Sequence, residues 1–282
     1  MSKALTLWHK EILIDVPGCP KHIITRALLD TARDFCAYTL SWTAKHASID
    51  SDAVSGSDIA FVASGPDTIT STSTDLSIFT AGQIINTDNS DNPGPFTLAV
   101  VAENTLTLVA GDDLTATDAA STKIGASTYA LTSTDGDIVE IDHAIYDHVD
   151  FYPTSEYAMD HTVSDWRTRM SASPSHYLMG QDRYIRLVYC PYTAVTGGIE
   201  VWVCLKPLTT ATTLEDYLYT DYFDCLSEGT RARLLRMPKQ TWTDKNEAMR
   251  CQARYEQQRN IAGTKKNGGY VHRTYQVKMR AF

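Results

Sequence analysis

Three small groups of side chains lie close enough along the chain to suggest chemistry. His143, Asp147 and His148 combine two imidazoles with a carboxylate, the donor types that bind zinc, but their spacing fits no standard tetrahedral site. A mixed polar surface is the favoured reading. Asp112, Asp113 and Asp118, with Gly111, offer oxygen ligands for Ca²⁺ without the ligand spacing or glycine position of an EF-hand. Asp135 and Asp137 could divide acid and base roles as glycosidase carboxylates do, although two nearby aspartates carry little information in so acidic a region. GxSxG, GxxxxGK[ST], HExxH and GxGxxG are all absent. No catalytic residue, cofactor or metal is therefore expected. The 15 tyrosines could stack on carbohydrate or nucleic acid, but they read better as interface anchors, apolar in body and polar at the tip.

Charge is segregated along the 282 residues, whose net charge is −9. Residues 51–150 hold 14 Asp and 2 Glu against the single cation Lys123, while from Gly263 onward there is no acid and Lys265, Lys266, Arg273, Lys278 and Arg280 give +5. Blocks of one sign commonly mark interaction surfaces or tails. With 43% hydrophobic and 21% charged residues, the composition is that of a globular protein with a real core. No apolar run reaches the roughly 18–20 residues that cross a bilayer, and the first residues lack the apolar stretch of a signal peptide, so folding in a cytoplasm is expected. The six cysteines show no CxxC spacing and are expected as small buried hydrophobes.

The elements around these residues follow from periodicity. Ile24, Leu28, Ala32, Phe35, Thr39 and Trp42 recur every three to four positions, predicting a helix from Lys21 to about Trp42 after the breaker Pro17-Gly18 and Pro20. A shorter amphipathic helix, about Leu5 to Leu13, is expected before it. From about Asp52 to Lys123 short alternating runs at 58–62, 68–70, 83–85, 96–101 and 105–109 read as strands separated by turns, giving a small sandwich or barrel. Strands are expected again at 127–131, 137–141, 184–190 and 199–205, the last two as a hairpin, with a loop-rich stretch from Tyr152 to Gly180. Thr212-Thr213-Leu214-Glu215 reads as a capping box opening a long helix that Pro238 ends. Leu218, Tyr222, Gly229 and Arg233 lie on this helix as candidate packing residues within or between subunits. A last helix is expected over about Asp244–Ala262 with Gly263 as its C-cap. The fold class is thus α+β: a helical bundle with a small antiparallel sheet in a main domain of 1–51 and 124–263, an inserted all-β domain at 52–123, and a basic tail at 264–282.

Three stretches carry a resemblance to a family. They are Val16-Pro17-Gly18-Cys19-Pro20 leading to Ala32-Arg33-Asp34-Phe35-Cys36 and Trp42, the strand Val201–Leu208, and Gly229–Asp244 running on to Tyr255. In this order they resemble phage head-to-tail connector (adaptor) proteins, including the tail tubular protein A class of short-tailed phages. The compact members lack the inserted domain, whose runs at 67–70, 81–85, 94–98 and 104–108 look like a β-module found in phage virion proteins. The resemblance implies a structural virion protein of the neck, assembled in the host cytoplasm. It would form a ring, commonly of twelve copies, between the portal protein and a tail nozzle or tail tube protein.

DNA would pass through the lumen unheld, since an acidic lining repels phosphate. An outward-facing insertion, meeting tail fibres, is the favoured placement for the acidic module. Tyr270, Arg273, Tyr275, Lys278, Arg280 and Phe282 of the tail are expected to dock on the portal. The alternatives are a tail-completion protein and a carbohydrate-binding tail component that uses the β-insertion.

Overall fold

The computed structural model describes residues 2–180 and 183–267. From the N-terminus, β1 (Ser2–Ala4) and a 3-10 turn (Leu5–Trp8) lead into α1 (His9–Asp15) and α2 (Lys21–Thr39). Strands β2 (Thr43–Lys45) and β3 (Ile49–Ser51) precede β4 (Ala53–Val62), β5 (Thr68–Thr70), β6 (Ile84–Thr87), β7 (Phe96–Ala102), β8 (Thr105–Leu108) and β9 (Thr117–Ala126). Next come β10 (Thr128–Ala130), β11 (Asp137–Tyr146), β12 (Val149–Pro153), α3 (Glu156–Thr162), β13 (Met170–Ser171), β14 (His176–Met179), β15 (Tyr184–Val188), β16 (Cys190–Pro191) and β17 (Val195–Lys206). β18 (Thr213–Glu215), α4 (Asp216–Leu235) and α5 (Lys245–Asn267) follow. The chain is α+β and divides into two units, one of residues 1–44, 133–140 and 204–282, the other of 45–132 and 141–203.

The first unit is helical because three helices each need a partner for an apolar face. Ile24, Leu28, Ala32 and Phe35 of α2, Leu218, Cys225, Leu226 and Ala232 of α4, and Ala248, Cys251 and Tyr255 of α5 form one buried core with Leu5, Trp8 and Ile12. Burial contributes about 1.5–3 kcal/mol for each large apolar side chain among them. α2 ends at Thr39, three residues before Trp42, and its C-cap Leu40, with a φ of 51°, closes the helix in left-handed geometry. The expected capping box is not formed. Thr213–Glu215 instead pairs with Ser2–Ala4 as a two-stranded sheet, and α4 begins at Asp216 without a side-chain cap, because the threonines' backbone is already committed to the ladder. α5 runs through Gly263 to Asn267, so that glycine is not a C-cap.

In the second unit β4-β5-β8-β7-β6-β9 close into a barrel. Ile59, Phe61, Ile69, Ile85, Phe96, Leu98, Leu106, Leu108 and Ile124 are buried, and period-2 alternation turns these positions inward along each strand. The closing strand β9 pairs with both β4 and β6. Its first half, Thr117-Asp118-Ala119-Ala120-Ser121, has no apolar alternation and is not legible as a strand.

Of the remaining strands, β13 and β16 pair in parallel by themselves, and the others form an eight-stranded sheet ordered β10-β15-β14-β12-β11-β17-β2, with β3 on β17. This is larger than the small antiparallel sheet expected, and β12 and β14 run parallel. The hairpin expected between 184–190 and 199–205 is also corrected. β14, β12 and β11 stand between β15 and β17, and Gly197-Gly198 lie inside β17. Alternation identified both strands, but partner choice was decided by β12 and β14, the latter and the end of the former lying in the supposed loop of 152–180, which also holds β13 and the buried Trp166 and Met159.

Candidate assembly surfaces

The four helix residues singled out in the sequence lie in different surroundings. Leu218 is fully buried, and Tyr222 is half-buried against Phe35 and Tyr217 at ring distances of 4.8 and 6.2 Å. Tyr222 also breaks the helix, with φ −128° and ψ 19°. Gly229 is the point where α2, α4 and α5 converge: a Cβ there would lie 2.6 Å from Thr31 Cγ2 and 2.7 Å from Tyr255 Cδ2. Arg233 is exposed and reaches Asp34 at 3.8 Å, joining Arg259 (3.1 Å) and the Tyr255 hydroxyl, which donates to Asp34 at 2.8 Å. A second knot ties α1 to α4, where Arg231 meets Glu11 and Asp15, each at 2.8 Å. Leu7, Ile14, Tyr38, Met249 and Ile261 remain exposed on this unit. The tail residues Tyr270, Arg273, Tyr275, Lys278, Arg280 and Phe282 lie outside the described residues.

Several of the side chains that might have done chemistry take structural roles instead. The His143 ring stacks on Trp202 at 4.1 Å, while Asp147 and His148 form the left-handed turn between β11 and β12. Asp112 accepts the Thr97 amide at 2.5 Å, and Asp137 is paired with Arg33 at 3.0 Å. Among the described residues no group of three or more His, Cys, Asp or Glu is placed to hold a metal ion.

Asp58 is the most heavily bonded carboxylate of the barrel. It accepts from the hydroxyls of Ser71 (2.7 Å), Thr72 (2.9 Å), Ser73 (3.0 Å) and Thr74 (2.8 Å) and from the amides of Thr72 (2.7 Å) and Ser73 (2.5 Å). These bonds, the Ser71 hydroxyl foremost, hold its pKa far below the usual carboxylate range. Gly56 leaves room for this loop, since a Cβ there would sit 2.2 Å from Thr74 Oγ1.

A groove of about 580 Å³ in the second unit, lined by Asp50, Asp52, Ile78, Gln83, Ala130 and Tyr184 among others, was not foreseen. Asp52 accepts from Gln83 Nε2 at 2.8 Å, and burial pushes its carboxyl above the ordinary value despite that bond. Its lining comes from five separate segments, so no local pattern announces it. Tyr152 and Tyr157, 60% and 75% exposed, stand on the same unit and are of the residue type that anchors interfaces.

Comparison with known proteins gives one family. The family model described as SU10 adaptor protein matches residues 71–276, nearly three quarters of the chain, starting within the barrel and including β17, α4 and α5. The first of the three resembling stretches, Val16 to Trp42, precedes the match. A search of curated proteins finds no match. The chain therefore belongs to the SU10 adaptor protein family and is a phage adaptor, a structural component of the virion.

Proposed function

We propose that the protein assembles as a closed ring of twelve copies in the neck of the virion. One axial face would meet the portal protein, the other the tail nozzle or tail tube, with the genome passing through the lumen. The helical unit and the strands continuous with it would form the main adaptor domain, with the barrel as an inserted accessory module. The observation that carries this reading is the adaptor family match over residues 71–276. A net charge of −9 agrees with it, since an adaptor must let DNA slide and a chain of that sign repels phosphate instead of gripping it. Closed rings also suit a single chain type, because a head-to-tail contact repeated by rotation leaves no face unsatisfied.

Electron microscopy of the purified protein with and without portal tests the reading. Rings that stack on the portal are expected. Particles that stay monomeric at assembly concentrations in its presence would refute it.

A further inference from the structure

The groove beside β10 contains an open sheet edge. Among the described residues β10 ends its sheet and pairs with β15 alone along the strand order. Leu187 N donates to Ser127 O, and Leu131 N donates to Arg183 O. In an antiparallel ladder paired residues alternate, so Tyr129 directs its amide and carbonyl to β15, while those of Thr128 and Ala130 point away from it. Ala130 is exposed. The open stretch is bounded at one end by Ile84, whose carbonyl accepts the Ser127 amide at 2.8 Å, and at the other by His46 Nε2, which accepts the Thr132 amide at 3.1 Å. Around it stand Asp50 and Asp52 and the apolar Ile78, 40% exposed, and Ile84. Such an edge accepts an extended segment by backbone pairing, with side-chain pockets choosing which one.

We infer that the groove seats the C-terminal segment of a second copy of the chain, residues 268–282, as a strand added along β10. The sequence of that segment has the complementary chemistry. It contains Arg273, Lys278 and Arg280 and no acid. From Tyr275 on it alternates, with Tyr275, Val277 and Met279 on one side and Gln276, Lys278 and Arg280 on the other, so a single strand would present apolar groups to the isoleucines and cations to the two carboxylates. Fifteen residues reach up to about 50 Å when extended, whereas the open edge needs only three or so. Donation by a second copy rests on the ring reading, in which every subunit gives one segment and receives one. The segment thereby joins neighbours in place of the portal contact expected from sequence.

The test uses the full-length chain with a benzophenone amino acid at position 275, mixed from ¹⁴N- and ¹⁵N-labelled preparations, irradiated, digested and analysed by mass spectrometry. Expected are mixed-isotope cross-links to peptides containing Ile49–Asp52 or Ile78–Ile84. Their yield should fall several-fold in Asp50→Asn/Asp52→Asn, and likewise in Ile78→Lys, an exposed position that leaves the core untouched. Cross-links within one copy, to added portal or to other surfaces, or none, overturn the inference, as does an unchanged yield in Ile78→Lys. Electron microscopy of the same samples separates the two ideas. Rings with cross-links elsewhere overturn the groove and leave the ring standing, and mixed-isotope groove links without rings sustain the seat and overturn the ring.

Discussion

Asp58 shows what a single side chain does in a barrel whose sequence is mostly Ser, Thr and Asp. Six donors converge on it from the Ser71–Thr74 segment, turning a polar loop into a fixed lid on β4. Because its folded pKa lies below the unfolded value of 3.8, the bonded carboxylate stabilises the fold at all pH above about 4, and this contribution is lost as pH falls from there. Asp58→Asn is therefore expected to lower the urea midpoint at pH 7, with the gap to wild type narrowing between about pH 4 and pH 2; a constant gap would contradict the role of the ionised form. The cysteines give a second expectation. All six are free and buried, and desolvation raises the thiols of Cys36, Cys225 and Cys251 to about 12. A thiol reagent at pH 8 should leave the native protein almost unlabelled and find all six after denaturation. Fast labelling of any one in the native state would show that its burial is not maintained.

Among the elements, the crossing at Gly229 is the tightest constraint on the helical unit. Gly229→Ala places a methyl against Thr31 and Tyr255, an overpacking cost of about 1–3 kcal/mol, offset by about 1 kcal/mol of helix propensity. A net loss of roughly 0–2 kcal/mol in urea unfolding followed by circular dichroism is expected. A gain would mean that Tyr255 moves aside. The small residue was legible in the sequence, but which helices it admits was not, since Thr31 and Tyr255 belong to segments far from it along the chain. Strands show the same division. Phe96–Ala102 and Thr105–Leu108 follow from alternation, whereas β9 reads as a polar loop and becomes a strand only because β4 and β6 both need a partner.

For the whole molecule the decisive property is the sign and distribution of charge. At about 0.15 M salt the protein is expected to leave duplex DNA unretarded in an electrophoretic assay, as a passive conduit requires. A saturable shift at micromolar protein would contradict free passage. The sequence alone was enough for the α+β class, the core faces of the long helices, five of the six barrel strands, the acidic and basic blocks and the adaptor resemblance. Each of these depends on residue type and short-range period. Tertiary structure alone decided the closure of the barrel, the separation of β15 from β17 within one sheet, the pairing of Thr213–Glu215 with Ser2–Ala4 in place of a helix cap, and the groove that brings Asp52, Gln83 and Ala130 together. The physical reason is that a backbone amide or an apolar face specifies only that it must be satisfied, and which distant segment satisfies it is settled by the packing of the whole chain.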